Sequence, residues 1–351
     1  MIKRVVLFWG SERDFSNLLS KRITKDENTI TFLELIQLYN ARIRPGESGV
    51  KENALTAKKT VDNCIVRTAD YSSVLEHVLS NFVNVLIAHH NIGTLYIQNP
   101  PNRVLSSLLS FIDEDCIEVQ KSKYAPINRE SLKNIYRNLC SDLLGQNECK
   151  KHLISGLYRL SLDKLNRPSV LMLYGPSGVG KTETAKSISH SVGGNLLRVQ
   201  FSMMQTSEAY NYIFGSEHSK PSFARDMLAR ESNVILIDEF DKVNSVFYNA
   251  FYQVFDEGKY VDTNYSVDLH GSIFLCTSNF MSEAEIKKAL GPAMFSRIGS
   301  CIEYTDLTIA QKCEIIQTWY DNLVSQLQQD ERGVIASTDI LEWFKATPHK
   351  C

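Results

Sequence analysis

By composition, the chain has little that would tie it to a metal, a membrane or nucleic acid. Its eight cysteines (Cys64, Cys116, Cys140, Cys149, Cys276, Cys301, Cys313, Cys351) are scattered, with no C-x-x-C pair and no Cys/His spacing of the zinc-site kind. They read as reduced thiols in a cytoplasmic setting. No run of 18 apolar residues occurs, which excludes a membrane-spanning helix from the sequence. The opening MIKRVVLFWGSERD has a basic tip, but its apolar run Val5 to Trp9 is too short for a signal peptide. Lys+Arg 38 against Asp+Glu 40 leaves a formal charge of −2, so no global basic field draws the protein to nucleic acid. Neither an internal repeat nor a low-complexity tract is evident. The adjacent His89 and His90 point in different directions on a helix and find no third ligand nearby in sequence, so they carry no metal expectation.

What is present begins with length. At 351 residues the chain has material for two or three domains. Residues 1–125 alternate short β-like runs such as RVVLFW, NCIVRT and TLYIQNPP with helix-like ones such as TFLELIQLYNA and SVLEHVLSNFVNVLIAHH, which predicts a separate N-terminal α/β domain. The polar, Gly-containing stretch 44–59 reads as a loop. A polar linker over 126–136 leads into a second region.

That region carries chemistry. Gly175-Pro176-Ser177-Gly178-Val179-Gly180-Lys181-Thr182 satisfies G-x-x-x-x-G-K-[ST] between an apolar strand (Val170 to Leu173) and a helix from Thr182. The glycines allow backbone N–H groups to turn inward around a phosphate at a helix N-terminus. Lys181 is expected on the β- and γ-phosphates and the Thr182 hydroxyl on Mg²⁺. Farther on, NVILIDEFDKV runs Val234 to Ile237 without polar alternation into Asp238, Glu239 and Asp241. A strand with both faces apolar is a central strand of a parallel sheet, and ligands sit beyond the carboxyl ends of such strands. Asp238 is therefore expected to orient water on Mg²⁺, and Glu239 to polarise the water that attacks the γ-phosphate. Asp241 is expected to face solvent, pair with a basic neighbour or serve an interface.

With these motifs in place, residues 137 to 345 resemble a AAA+ ATPase of the Clp-type unfoldase group, and torsins more distantly. The resemblance implies a P-loop NTPase parallel-sheet domain over 137–304, followed by a small helical C-terminal subdomain over 305–351 that is incomplete here. The family's second sensing arginine, which follows the helix matching DILEWFKA, is not among these residues. Gly145 and Gln146 in DLLGQNECKKHLISGL match the element lining the adenine pocket. Asn279, at the end of GSIFLCTSN, matches the polar sensor of the γ-phosphate. Arg297 in AMFSRIGSCIEY, eighteen residues beyond Asn279, matches the arginine finger that reaches a neighbouring subunit's nucleotide; from the residues alone it would be a surface charge. Phe214-Gly215 falls at the aromatic position of the pore loop, although the Gly-Tyr-Val-Gly pattern is missing, which makes Tyr212 and Phe214 the pore-loop candidates. The implied cofactors are ATP and Mg²⁺. The implied assembly is a self-made ring of six acting on a protein client, with a client or partner engaged through residues 1–125. Two other readings are an ATP-gated assembly switch and, disfavoured by the charge, a nucleic-acid remodeller.

Overall fold

The computed structural model describes residues 1–43, 58–162, 167–201, 204 and 206–346. Most of the expected 44–59 loop and the last residues of the chain lie outside the described residues. The first sheet starts with β1 (Ile2–Trp9), in which Val5 to Phe8 are all buried. Val5 and Leu7 belong to one apolar cluster with Phe32, Phe82 and Leu108, and Val6 and Phe8 to another with Phe15 and Leu19. Both faces of the strand are thus covered, as an inner parallel strand requires. α1 (Glu12–Arg22) begins at once, with the Ser11 hydroxyl accepting from the Asp14 amide, acids in its first turn and bases in its last. There follow β2 (Thr29–Thr31), α2 (Phe32–Ile43), β3 (Lys59–Val66), α3 (Glu76–Ser80), α4 (Phe82–His89), β4 (His90–Gln98), α5 (Asn102–Phe111) and β5 (Ile117–Lys121). The sheet is parallel throughout, in the order β2-β3-β4-β1-β5.

The second region opens with α6 (Arg129–Asp142), which carries an Asn128/Ser131 capping box, and α7 (Asn147–Tyr158). Its elements then run β6 (Ser169–Tyr174), α8 (Lys181–Val192), β7 (Leu197–Gln200), α9 (Thr206–Phe214), α10 (Phe223–Ala229), β8 (Val234–Asp238), α11 (Tyr248–Glu257), β9 (Lys259–Val261), β10 (Ser266–Asp268), β11 (Ile273–Thr277), α12 (Glu283–Phe295) and β12 (Ser300–Glu303). Its five-stranded sheet is also parallel, in the order β12-β6-β11-β8-β7, and β9 and β10 form a two-stranded antiparallel ribbon. β8 lies between β11 and β7 and is buried along its whole length, as its unbroken apolar run predicts. The helical C-terminal part comprises α13 (Ile309–Gln326), α14 (Gln329–Ala336) and α15 (Ile340–Ala346), none of which has a buried residue.

The two sheets share one topology. Numbering each set of five strands along the chain and leaving out the β9-β10 ribbon, both read 5-1-4-3-2. A repeat is therefore present in the fold although none is visible in the sequence. Spatial grouping departs from chain order as well. One compact unit comprises Met1–Tyr124 together with Met204–Glu231 and Lys259–Leu269; the other comprises Ala125–Met203, Ser232–Gly258 and His270–Cys351. Two stretches that interrupt the second region in sequence thus belong to the same compact unit as the first sheet.

Candidate functional site

β6 ends at Tyr174, and the chain turns through Gly175, Gly178 and Gly180, all at positive φ (128°, 77° and 102°), before α8 begins at Lys181. A side chain at Gly175 would collide with the Tyr304 carbonyl, so the position requires glycine twice over, for conformation and for space. Such a turn into a helix N-terminus is the geometry of an anion cradle. The Lys181 ammonium donates to the carbonyls of Gly175 (2.6 Å) and Pro176 (2.7 Å) and to Asn279 Oδ1 (3.2 Å). Burial lowers the Lys181 pKa, while Asp241 and Asp238 pull the other way.

Beyond the neighbouring strands lie the acids. Asp238 is buried at 6% exposure. Its Oδ2 accepts from Arg198 Nε (2.9 Å) and Nη2 (2.5 Å), and its Oδ1 accepts from the Thr277 hydroxyl. That hydroxyl also accepts from the Glu239 amide at 3.0 Å. Glu239 adopts the left-handed conformation (φ 55°), which costs a non-glycine residue free energy and turns the chain sharply where the strand ends. Lys181, Thr182, Asp238, Glu239 and Asn279 share one cleft of about 390 Å³. A second cavity, of about 470 Å³, is lined by Leu143, Gly178, Val179, Gly180, Ile315 and Trp319, among others. The two share Gly178 and Gly180, so a polar phosphate end and a more apolar end meet at the glycine turn. The donor set fits Mg²⁺ held with a nucleotide: one buried carboxylate and one hydroxyl, with phosphate oxygens to complete the shell.

A family model, AAA domain (Cdc48 subfamily), matches residues 166–322. The chaperone protein ClpB of Malacoplasma penetrans is 25% identical over 240 residues, covering 61% of this chain and 34% of that protein. The ATP-binding subunit ClpL of the ATP-dependent Clp protease of Staphylococcus aureus is 27% identical over 242 residues, covering 61% of this chain and 34% of that protein. Residues 166–322 thus match a AAA domain, and the chain is distantly similar to the Clp/Hsp100 chaperones. It spans about a third of the length of those curated relatives. Among solved structures, the S. cerevisiae Hsp104-ADP complex has a TM-score of 0.49 at 19% identity, covering 58% of this chain and 34% of that one.

The remaining AAA+ site candidates fall in different places. Gly145 (φ 67°) and Gln146 (φ 52°) form the turn between α6 and α7. The Gln146 amide donates to the Thr305 carbonyl (2.7 Å) and accepts from the Thr305 amide (3.3 Å), so it acts as a clamp on the chain after β12. Arg297 lies outside the phosphate cleft. Its guanidinium bonds Asp256 Oδ2 through Nε (2.8 Å) and Nη2 (2.7 Å), bonds the Ala293 carbonyl (2.6 Å), and stacks 4.3 Å from the Tyr252 ring centroid. With Arg159 and Arg167 it lines a cavity of about 230 Å³ beside Ser169 and Val170, the opening residues of β6. Tyr212 is buried, and its hydroxyl donates to Asp226 at 2.6 Å; Phe214 is half-buried. Tyr212 therefore offers no ring face to a client in this arrangement.

Arg198 and Thr277 have roles that the sequence did not assign, and Asp241, whose basic neighbour was expected, is more buried than expected. Arg198 sits on β7 one strand away from Asp238, and only strand pairing brings the two together. Thr277 serves both Asp238 and Glu239 through one hydroxyl. Asp241 does not face solvent: its side chain is 8% exposed, its Oδ2 is 3.6 Å from Lys242 Nζ, and its charge acts on Lys181. A basic residue one place along was visible in the sequence; the burial was not.

Proposed function

We propose that the chain binds Mg²⁺–ATP in the cleft at the carboxyl edge of the second sheet, hydrolyses it at interfaces in a ring of six copies, and uses the resulting motion to remodel a protein client in the cytoplasm, with residues 1–125 recognising the client or a partner. The observation that carries the reading is the placement of the cradle and the Arg297 cavity at opposite ends of β6. β6 runs six residues and spans roughly 20 Å, with the cradle at its carboxyl end and the Arg297 cavity at its amino end. An arginine so placed is out of reach of its own chain's γ-phosphate and is available to a neighbour's.

In this mechanism the Lys181 ammonium leaves the Gly175 and Pro176 carbonyls for phosphate oxygens, exchanging neutral acceptors for charged ones. Mg²⁺, when bound, neutralises phosphate charge and orients the in-line displacement. Thr182 and Asp238 are the groups that would hold it. Glu239, fixed by the Thr277 hydroxyl at its backbone amide, accepts a proton from the attacking water. Asn279, already bonded to Lys181, contacts the γ-phosphate side of the cleft. Arg297 of an adjacent copy stabilises transition-state charge, an effect worth about 10³–10⁵ in rate for arginine fingers generally.

A second reading, an ATP-gated assembly switch with little pulling work, draws support from the burial of Tyr212. Capture with a Glu239→Gln trap in ATP, together with turnover measurements, separates the two. Client-stimulated hydrolysis supports remodelling. Nucleotide-dependent assembly with negligible turnover supports the switch, and salt-sensitive stimulation by DNA would overturn both.

A further inference from the structure

The shared strand order permits a residue-by-residue comparison of the two sheets. In the first, Phe8 is level with Gln98, Val66 with Ile97, and Trp9 with Lys121. In the second, Leu173 is level with Thr277, Ile237 with Cys276, and Tyr174 with Glu303. Gly10 therefore stands where Gly175 stands, Asn99 where Ser278 stands, Arg67 where Asp238 stands and Ser122 where Tyr304 stands. The backbone agrees. The Asn99 amide donates to Phe8 O (2.8 Å) as the Ser278 amide does to Leu173 O (2.9 Å), and the Ser122 amide donates to Trp9 O (2.8 Å) as the Tyr304 amide does to Tyr174 O (2.8 Å).

What the first sheet lacks is the cradle. Gly10 and Ser11 alone separate β1 from α1, whereas residues 175 to 180 separate β6 from α8. The helix then opens with Glu12, Arg13 and Asp14 where the other has Lys181, Thr182 and Glu183, so a carboxylate stands in the place of the lysine and a guanidinium in the place of the hydroxyl. A guanidinium, Arg67, occupies the place of the metal-associated acid. The space is also closed: Asn99 bonds the Gly10 amide (2.8 Å), the Gly10 carbonyl (2.9 Å) and Thr68 Oγ1 (3.1 Å), and Ser122 Oγ bonds Asp14 (2.6 Å). Phosphate would meet the Glu12 carboxylate in the place of the lysine, a guanidinium already paired with that carboxylate, and filled hydrogen bonds.

The same carboxyl edge has another occupant. Within this compact unit, Arg225 bonds Ser72 Oγ (2.6 Å) and His218 Nε2 lies 2.9 Å from Val74 O, both beyond the end of β3. Asn102, beyond β4, donates its amide to Asn264 O (2.7 Å). Tyr124, beyond β5, donates to Arg230 O (3.2 Å) and lies under its guanidinium at 4.5 Å, and Arg13, beyond β1, bonds Glu231 (3.1 Å). Four strand ends out of five thus meet segments 204–231 and 259–269.

We infer that residues 1–124 are a second P-loop-type sheet that binds no nucleotide, and that its carboxyl edge is the docking surface for the chain's own segments 204–231 and 259–269. This goes beyond ATP use by the second sheet and does not depend on hydrolysis, ring formation or a client. The chain then takes up one nucleotide, and the segment carrying Tyr212 and Phe214 is tethered to the N-terminal sheet.

The test uses the full chain. Titration calorimetry with a slowly hydrolysed ATP analogue and Mg²⁺ should give one site per chain in the wild type and none in Lys181→Ala; residual binding in that variant, with the fold retained, would overturn the nucleotide-free assignment. Hydrogen exchange tests the docking. Arg225→Ala should raise exchange across 206–229 and 259–268 about tenfold, while β6 and α8 keep their protection. Should Arg225→Ala fail to fold, the milder Ser72→Ala probes the same bond from the other side. Unchanged exchange in whichever of the two folds would overturn the docking surface.

Discussion

Arg198 places two of its nitrogens, Nε at 2.9 Å and Nη2 at 2.5 Å, on a single carboxylate oxygen of Asp238. The guanidinium is half exposed and the carboxylate is not, so a cationic side chain already sits on the carboxylate that would face a bound Mg²⁺. We expect Arg198→Ala to leave Asp238 with a lost charged partner and to lower the stability of the nucleotide-free protein by about 1–3 kcal/mol. Mg²⁺ with an ATP analogue should recover most of that loss, because the cation then serves the carboxylate in place of the guanidinium. Thermal unfolding with and without Mg²⁺–nucleotide checks this; an equal deficit under both conditions would show that Arg198 acts only as a structural partner.

In the proposed mechanism Lys181 and Glu239 serve separate steps. Lys181→Ala removes the phosphate's charge partner and should abolish nucleotide binding, whereas Glu239→Gln keeps shape and binding and should stop turnover. Filter binding and single-turnover hydrolysis distinguish them, and equal loss of binding in both would contradict the assignment. The pH dependence has a definite sign. Burial holds the Lys181 pKa below its ordinary 10.5, so between the lowered value and 10.5 the unfolded chain carries the extra proton and this group's contribution to stability rises with pH. Nucleotide binding works against that shift: phosphate oxygens restore the ammonium, so binding in the same window takes up a proton and weakens as pH rises. Calorimetry in two alkaline buffers of different ionisation enthalpy should register the uptake, and its absence would remove Lys181 from the linkage.

Tyr212 and Phe214 lie on one helix but answer to different forces. Tyr212→Phe deletes a hydroxyl that donates to the half-buried Asp226 carboxylate at 2.6 Å, and should cost about 1–3 kcal/mol in chemical unfolding. Phe214 is half-buried and packs on the exposed Tyr210 ring at 4.7 Å, so Phe214→Ala should cost less than the 3–5 kcal/mol typical of a fully buried phenylalanine. If Phe214→Ala instead unfolds the protein while Tyr212→Phe is silent, the burial assigned to the two positions is reversed.

The phosphate cradle and the acidic strand were legible because their information is local. Glycines at fixed offsets, one lysine and an unbroken apolar run each state their backbone requirement within a dozen residues. Arg198 was not legible, since only the β7–β8 pairing carries it to Asp238. Nor was the burial of Asp241, which depends on elements distant in sequence. The duplicated sheet escaped for a related reason. Strand order is a non-local property, and the residues that would have advertised it, a glycine turn and a lysine, are replaced after β1 by Gly10, Ser11 and an acidic first turn. A short strand such as β2, three residues long, leaves almost no period to read.

Arg297 is held by its own chain outside the phosphate cleft. Asp256 and the Tyr252 ring fix its guanidinium from two sides, which in the proposed ring would lower the entropy cost of presenting it to a neighbour's phosphate. Arg297→Ala should therefore lose hydrolysis and keep nucleotide affinity. Mixing it with Lys181→Ala should restore part of the activity, because random assembly pairs an intact cradle with an intact finger at some interfaces. Asp256→Asn should fall between wild type and Arg297→Ala, since it keeps a hydrogen bond but gives up the charge that orients the arginine. Steady-state hydrolysis across mixing ratios reads all three. Recovery that peaks near equal amounts supports action between copies, and mixtures as inactive as either parent, with assembly verified, would confine Arg297 to its own chain.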